Sequence, residues 1–267
     1  MQHNRFENLA RAGYAARGIV YLLLGAFSLT SALWGGNSED TSGALSGLLG
    51  LPFGRVLVGL IAVGLLGYVL WKLAQGLLNA DDVDDDAKGF LSRAGQLVSA
   101  AVNLFLMLTA ARLALGAGAS GGDGGEETAS AWLLQQPFGP FLLGLAACGV
   151  LAAAGVQIWY GASGGYRKRL SLPAQHKAWM DQVCRFGLIA RGIVLLVIGG
   201  FLFYAALTVS PEQAAGTAEA LDYVHGLPFG RWLYGLIALG LVAFGAYGLI
   251  EARYRSIDAT KVADATP

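Results

Sequence analysis

A unit of about 85–90 residues is written three times along this chain. Arg11, Arg93 and Arg185 each precede an apolar run, at separations of 82 and 92 residues, and Pro52, Pro137 and Pro228 each open a second run, at separations of 85 and 91. Repetition at a fixed period marks an architecture of copies, each of which buries its apolar surface against its neighbours. The copies fall at residues 9–80, 91–163 and 183–254, and residues 256–267 read as a flexible tail.

Composition decides what the copies fold in. Of 267 residues, 55% are hydrophobic and 13% charged, and mean hydropathy is +0.54. Ordinary soluble domains carry about 25% charged residues. The chain is therefore an all-α integral membrane protein. Stretches without charge place six spans, at Gly18–Ser38, Val56–Trp71, Ala94–Ala111, Ala129–Tyr166, Gly192–Pro211 and Trp232–Ile250. A crossing takes about 20 residues, so the short second stretch extends at both ends and Pro137 divides the long fourth. Two crossings per copy insert every copy with the same polarity, and parallel repeats are related by an axis along the membrane normal. Three copies predict a pseudo-threefold bundle.

Of the 18 Lys and Arg residues, only Arg55, Arg112 and Arg231 fall on the side opposite the termini. The positive-inside rule then puts both termini in the cytoplasm. Trp34, Trp132 and Trp232 fall near outer span ends, and Trp71, Trp159 and Trp179 near inner ones, as interfacial belts require. Thr30-Ser31-Ala32 resembles a signal-peptide cleavage site. The interior twin of that span, "RFGLIARGIVLLVIGG", argues that the first span is structural.

Pro-Phe-Gly opens each even-numbered span. Proline suits the first position of a helix, where its missing N–H is no loss, and Phe53, Phe138 and Phe229 are placed to anchor that end at the interface. The short apolar segments "GALSGLLGL", "SAWLLQQ" and "EALDYVHGL" before each proline read as half-helices on the outer surface. Glycines then recur every five residues, at 54/59/64, 139/144/149 and 230/235/240. Five steps turn a helix by roughly 140°, so these glycines open several sides to close neighbours. The even spans are expected to be packed on more than one face, nearest the centre.

Two patterns, R-x-G-x-x-x-R-G before the odd spans and P-F-G-x-x-x-x-G before the even ones, resemble the bacterial membrane family called domain of unknown function 1206. The first copy carries the resemblance at Arg11, Gly13, Arg17, Gly18, Pro52, Gly54 and Gly59. In the third it lies at Arg185, Gly187, Arg191, Gly192, Pro228, Gly230 and Gly235. The middle copy keeps Arg93, Pro137, Gly139 and Gly144 but departs at Ser99 and Pro140. The resemblance implies a bacterial inner-membrane protein and brings no activity with it.

Five arginines are the candidate binding residues. Arg17 and Arg191 start odd spans; they either snorkel to lipid phosphates or form an anion or lipid-headgroup site with Ser99 as its third member. Arg55, Arg112 and Arg231 give each copy one outer arginine. They either pair with loop acids such as Glu39, Asp40, Glu219 and Asp222, or form a ring attracting an anion. Lys72, Gln75, Gln157 and Glu251, near inner span ends, read as interfacial anchors. "NADDVDDDAKG" reads as a solvated acidic loop without calcium-loop spacing. "GAGASGGDGGEE" reads as linker, and "KRLSLPAQHKAWMDQV" as a basic segment on the inner leaflet.

Cys148 and Cys184 fall far apart in depth, which argues against a disulfide. His3, His176 and His225 are scattered, so no metal, cofactor or catalytic group is expected. Formal net charge is zero, giving no field for nucleic acid. The expected partners are the bilayer, anionic lipids or another membrane protein. The function expected is non-catalytic, by packing, lipid binding or partner binding; the alternative is a small channel or carrier along the threefold axis.

Overall fold

The computed structural model describes residues 2–34, 41–84, 86–117, 130, 132–173, 175, 177–209, 217–226 and 228–256. Their regular structure is helical: α1 (Gln2–Trp34), α2 (Thr41–Leu48), α3 (Gly54–Leu77), α4 (Ala87–Ala114), α5 (Gly139–Ser163), α6 (Lys177–Thr208), α7 (Thr217–His225) and α8 (Gly230–Tyr254). Six of these, α1, α3, α4, α5, α6 and α8, are long and apolar enough to cross a membrane. The protein is a multi-pass membrane protein. Glu39, Asp40, His176, the glycine-rich linker from residue 118 onward and the tail beyond residue 256 lie outside the described residues.

Charge-free stretches underestimate the first and fifth spans. α1 runs through Arg11 and Arg17, and α6 through Arg185 and Arg191. The reason is that these arginines bond to neighbouring helices, so the helices have no need to end at them.

Three contacts join successive copies: α3 packs on α4, α5 on α6, and α8 on α1. They correspond residue for residue. A Cβ on Gly59 would meet Ala114 at 3.6 Å, one on Gly144 would meet Ala206 at 3.8 Å, and one on Gly235 would meet Ala32 at 3.9 Å. At the other end, Arg93 donates to the carbonyls of Gly76 and Leu77 at 3.0 and 3.1 Å, and Arg185 donates to Ala162 at 2.7 Å. Arg11 likewise reaches Ala252 and Arg253 at 2.8 and 2.9 Å. Each of these cations caps the C-terminus of the preceding copy's second span, where carbonyls lack partners and the helix dipole favours positive charge by about 0.3–1 kcal/mol.

Among the described residues, the two spans of a copy pack closely on each other in the first and third copies. α1 packs on α3 and α6 on α8, but α4 and α5 of the second copy make no comparable contact. Gly13 lies against the Tyr68 backbone and Gly187 against that of Phe244, and the corresponding Gly95 fronts open space. The six spans form an arc whose two ends are α4 and α5. The expectation that all even spans lie at the centre is accordingly corrected for α5: 17% of its apolar window is buried, against 56% for α3 and for α8.

The Pro-Phe-Gly segments are tight turns. Phe53, Phe138 and Phe229 all take φ of +61° and act as N-caps, so helix begins at the glycine. Proline therefore stands before the cap, correcting its expected place at the first helical position. Gly54 N–H donates to Leu51 O at 2.9 Å, and proline's preset φ suits the second position of such a turn. The glycine is required by crowding: a Cβ on Gly54, Gly139 or Gly230 would overlap the carbonyl of Leu48, Leu134 or His225. Left-handed φ is costly for phenylalanine, yet all three rings are 82% exposed, where an interface can hold them.

The half-helices pack inward instead of lying on lipid. α2 buries Ala44, Leu45 and Leu48, and α7 buries Ala220, Leu221 and Val224. These residues join cores containing Val20, Val58 and Leu65 on one side and Leu24, Tyr234 and Leu241 on the other. The core toward the Pro-Phe-Gly end is thus mainly apolar, with Ser28, Ser31 and Ser42 among its buried polar residues.

Candidate functional site

The polar residues gather toward the opposite, basic end. Arg17 lies six positions along α1 from Arg11, about 9 Å deeper at 1.5 Å per residue. Its Nη1 donates to the Tyr68 hydroxyl of α3 at 2.7 Å. Arg191 of α6 donates to the Tyr21 hydroxyl at 3.0 Å and to Gln157 Oε1 of α5 at 2.6 Å. Ser99 of α4, the middle copy's counterpart, lies within reach of the same Tyr68 hydroxyl. All three equivalent positions therefore converge on one site, to which every span contributes.

Aromatic rings form its walls. The Arg17 guanidinium carbon lies 5.0 Å from the Phe244 centroid and that of Arg191 lies 4.9 Å from the same ring. Both also face Tyr21, at 5.7 and 5.3 Å. Each cation–π contact contributes about 0.5–2 kcal/mol. Lys72 adds a third cation, 5.2 Å from the Tyr68 centroid and donating to Gln96 of α4 at 2.7 Å.

No carboxylate among the described residues forms an ion pair with Arg17, Arg191 or Lys72. Sharing one ring puts the two guanidinium carbons no more than about 10 Å apart. Two like charges at that separation repel by about 1.7 kcal/mol at an effective dielectric of 20. Arg17 and Arg191 are also only half-buried. The site is suited to receive an anion. The hydrogen bonds of these two arginines run to Tyr68, Tyr21 and Gln157 on neighbouring helices.

Acids are used beside the site instead. Asp81 pairs with Arg169 at 2.8 Å and Arg255 at 3.4 Å, and accepts from Gln75 at 2.8 Å. Arg255 also pairs with Glu251 at 2.7 Å and lies over the Tyr14 ring, at 5.0 Å. Burial alone would raise the Asp81 carboxyl, but Arg255 and Arg169 outweigh it and hold it below the usual carboxylate range. One residue near the end of each copy thus meets in a single ionic cluster. Lys72, Gln75 and Glu251 are buried, which corrects their reading as interfacial anchors. The acidic loop is not simply solvated either, since Asp86 also caps α4 by accepting from Gly89 N at 2.7 Å.

The outer arginines serve the frame. Arg231 donates to Ala32 and Leu33 carbonyls, capping α1. Arg55 stands beside Gly116, just past the end of α4, and Arg112 occupies the last turn of that helix. Arg231, at the start of its own helix, sits at the end of its neighbour, which resolves its unfavourable dipole position. Its partners among the described residues are backbone carbonyls; of the expected loop acids, Glu39 and Asp40 lie outside those residues.

Sequence reading missed Tyr14, Tyr21, Tyr68, Phe244, Asp81 and Arg255. The tyrosines had a signal: Tyr14, Tyr21 and Tyr68 are polar-tipped residues inside apolar runs, where a hydroxyl needs a partner. Trp71 is 5% exposed and donates to Tyr14 at 3.1 Å, so it is no belt residue.

The uncharacterized protein YxxB of Bacillus subtilis (strain 168) is 34% identical over 257 residues, which cover 93% of this chain and 91% of that protein. No solved structure matches the chain. The model of the Domain of Unknown Function (DUF1206) matches three times, at residues 12–79, 94–164 and 186–255. These matches coincide with the two-span copies that carry the caps, the turns and the arginine site, and the chain belongs to that family.

Proposed function

We propose that the protein is a non-catalytic membrane protein that binds an anionic headgroup between Arg17 and Arg191. One observation carries this reading: two arginines share the Phe244 ring without an acidic partner among the described residues. Unneutralised cations inside a membrane protein are costly, and an anion between them removes the cost. The excess of Lys and Arg at this end supports cytoplasmic termini and a site facing the inner leaflet of a bacterial inner membrane, whose acidic lipids supply the anion. The apolar packing of Val20, Leu24 and Leu241 toward the other end supports a dead-ended site over a channel.

The test is retention of lipid through purification in a non-ionic detergent. Wild-type protein is expected to retain phosphatidylglycerol over phosphatidylcholine when both are supplied. Arg17→Gln combined with Arg191→Gln is expected to abolish the preference. An unchanged preference refutes the reading.

A further inference from the structure

We propose that the space between α4 and α5 is a lateral entry to the arginine site and holds an acyl chain of an acidic phospholipid, whose phosphate lies on Arg17 and Arg191. This rests on the anion-binding reading above and names the ligand's class and its route.

Repeat equivalence is the first argument. In the first copy Gly13 meets Tyr68 and Gly64 meets Ala16; in the third Gly187 meets Phe244 and Gly240 meets Ala190. All eight residues are buried. Their second-copy counterparts, Gly95 with Ala153 and Gly149 with Val98, are all exposed, and both glycines front open space. The small residues of a close helix pair are present without the pair being closed.

The second argument is the wall. Tyr68 and Phe244 supply the rings over which the arginines lie, and Ala153 stands at the corresponding position of α5. The aromatic enclosure is therefore missing on the side where the arc is open. Both edges of the opening reach the cations: Gln96 of α4 accepts from Lys72 and Gln157 of α5 from Arg191. Beyond these amides the edges are apolar, with Val102 and Val156 each 64% exposed. A slot that is polar at its base and apolar along its length fits a lipid with a charged head and a hydrocarbon tail.

Charge selects among occupants. The acids on the spanning helices, Glu7, Asp181 and Glu251, are already paired with Arg11, Arg167 and Arg255, so a spanning helix from a second copy would bring no unpaired acid to the arginines. A soluble anion would leave the apolar length of the slot empty.

The experiment measures binding by native mass spectrometry and thermal shift of the full chain in non-ionic detergent. The probes are dioleoyl phosphatidylglycerol, dioleoyl phosphatidylcholine and glycerol 3-phosphate. The variants are Gly95→Phe with Gly149→Phe, which fills the slot, and Gly200→Phe on α6 as a control, since Gly200 also fronts open space. Wild type is expected to bind phosphatidylglycerol at least tenfold more tightly than either other probe. Slot-filling is expected to weaken phosphatidylglycerol at least tenfold while glycerol 3-phosphate binding and the control are unchanged. If slot-filling leaves phosphatidylglycerol binding intact, or wild type binds glycerol 3-phosphate equally well, the slot proposal falls and the anion site stands. A dimer that slot-filling dissolves would overturn it in favour of a second copy. Should wild type bind neither anionic probe, the anion-binding reading fails too. Comparing the two anionic probes on wild type decides the matter even if the filled variant does not fold.

Discussion

Arg17 and Arg191, 174 residues apart in sequence, lie over the same phenyl ring, with guanidinium carbons 5.0 and 4.9 Å from the Phe244 centroid. They occupy equivalent positions of the first and third copies, so duplication alone brought two like charges to one site. Without a ligand their mutual repulsion works against the fold. Arg17→Gln relieves that repulsion but gives up the Tyr68 hydrogen bond and cation–π contacts of about 0.5–2 kcal/mol each, so a modest loss of thermal stability is expected in lipid-free detergent. Added phosphatidylglycerol should raise the wild-type Tm, by an amount corresponding to about 2.7 kcal/mol at one hundred times Kd, and the variant's Tm much less. A calorimetric titration of Tm against lipid for both proteins checks this.

Two substitutions at equivalent positions should have opposite effects. Gly13→Ala places a methyl group against the Tyr68 backbone, which cannot yield easily, whereas Gly95→Ala places it in open space. Overpacking costs about 1–3 kcal/mol. Replacing glycine by alanine in a free helix position gains up to about 1 kcal/mol. Chemical or thermal unfolding in detergent is expected to find Gly13→Ala destabilised and Gly95→Ala neutral or stabilised.

Asp81 gives the protein an acid limit. Its carboxyl is held below the ordinary value by Arg255 and Arg169, after burial has acted in the other direction. A depressed folded pKa means that the unfolded chain takes up the proton first. The stabilisation is therefore complete above the unfolded value of about 3.9 and is lost as pH falls through the lower, folded value. Asp81→Asn should be less stable than wild type at neutral pH. Its Tm should also change less between pH 5 and pH 3, as read by differential scanning fluorimetry.

The capping role of Arg231 separates it from the anion site. Arg231→Gln leaves the end of α1 without its cation, a loss of about 1 kcal/mol by the helix-dipole effect. It is expected to leave phosphatidylglycerol binding unchanged, measured alongside the Arg17 and Arg191 variants.

How much was legible in the sequence varies with the physical signal involved. Six spans and three copies were readable because lipid demands long charge-free runs and duplication preserves spacing. The same signal misplaced the span ends at Arg17 and Arg191, since an arginine bonded to Tyr68 or Tyr21 looks, in one dimension, like one reaching for water. A shared site at residues 17, 99 and 191 is one of two readings that their alignment offers. Tyr21, Phe244 and Asp81 were not foreseen, because their partners come from other copies and no local pattern records them. The open pair α4 and α5 was invisible for a further reason: Gly95 and Gly149 preserve the glycines of a closed pair.

The seam between α8 and α1 uses the same chemistry as the two seams that a connecting loop spans. An arginine caps a helix end, a glycine faces an alanine, and Arg11 reaches the carbonyls of Ala252 and Arg253. This seam is in addition the closest in backbone approach, with Gly18 set against Gly245 and Gly248. A circular permutant, opened within residues 170–176 and rejoined between the present ends, keeps every one of these contacts and should insert and fold as the parent does.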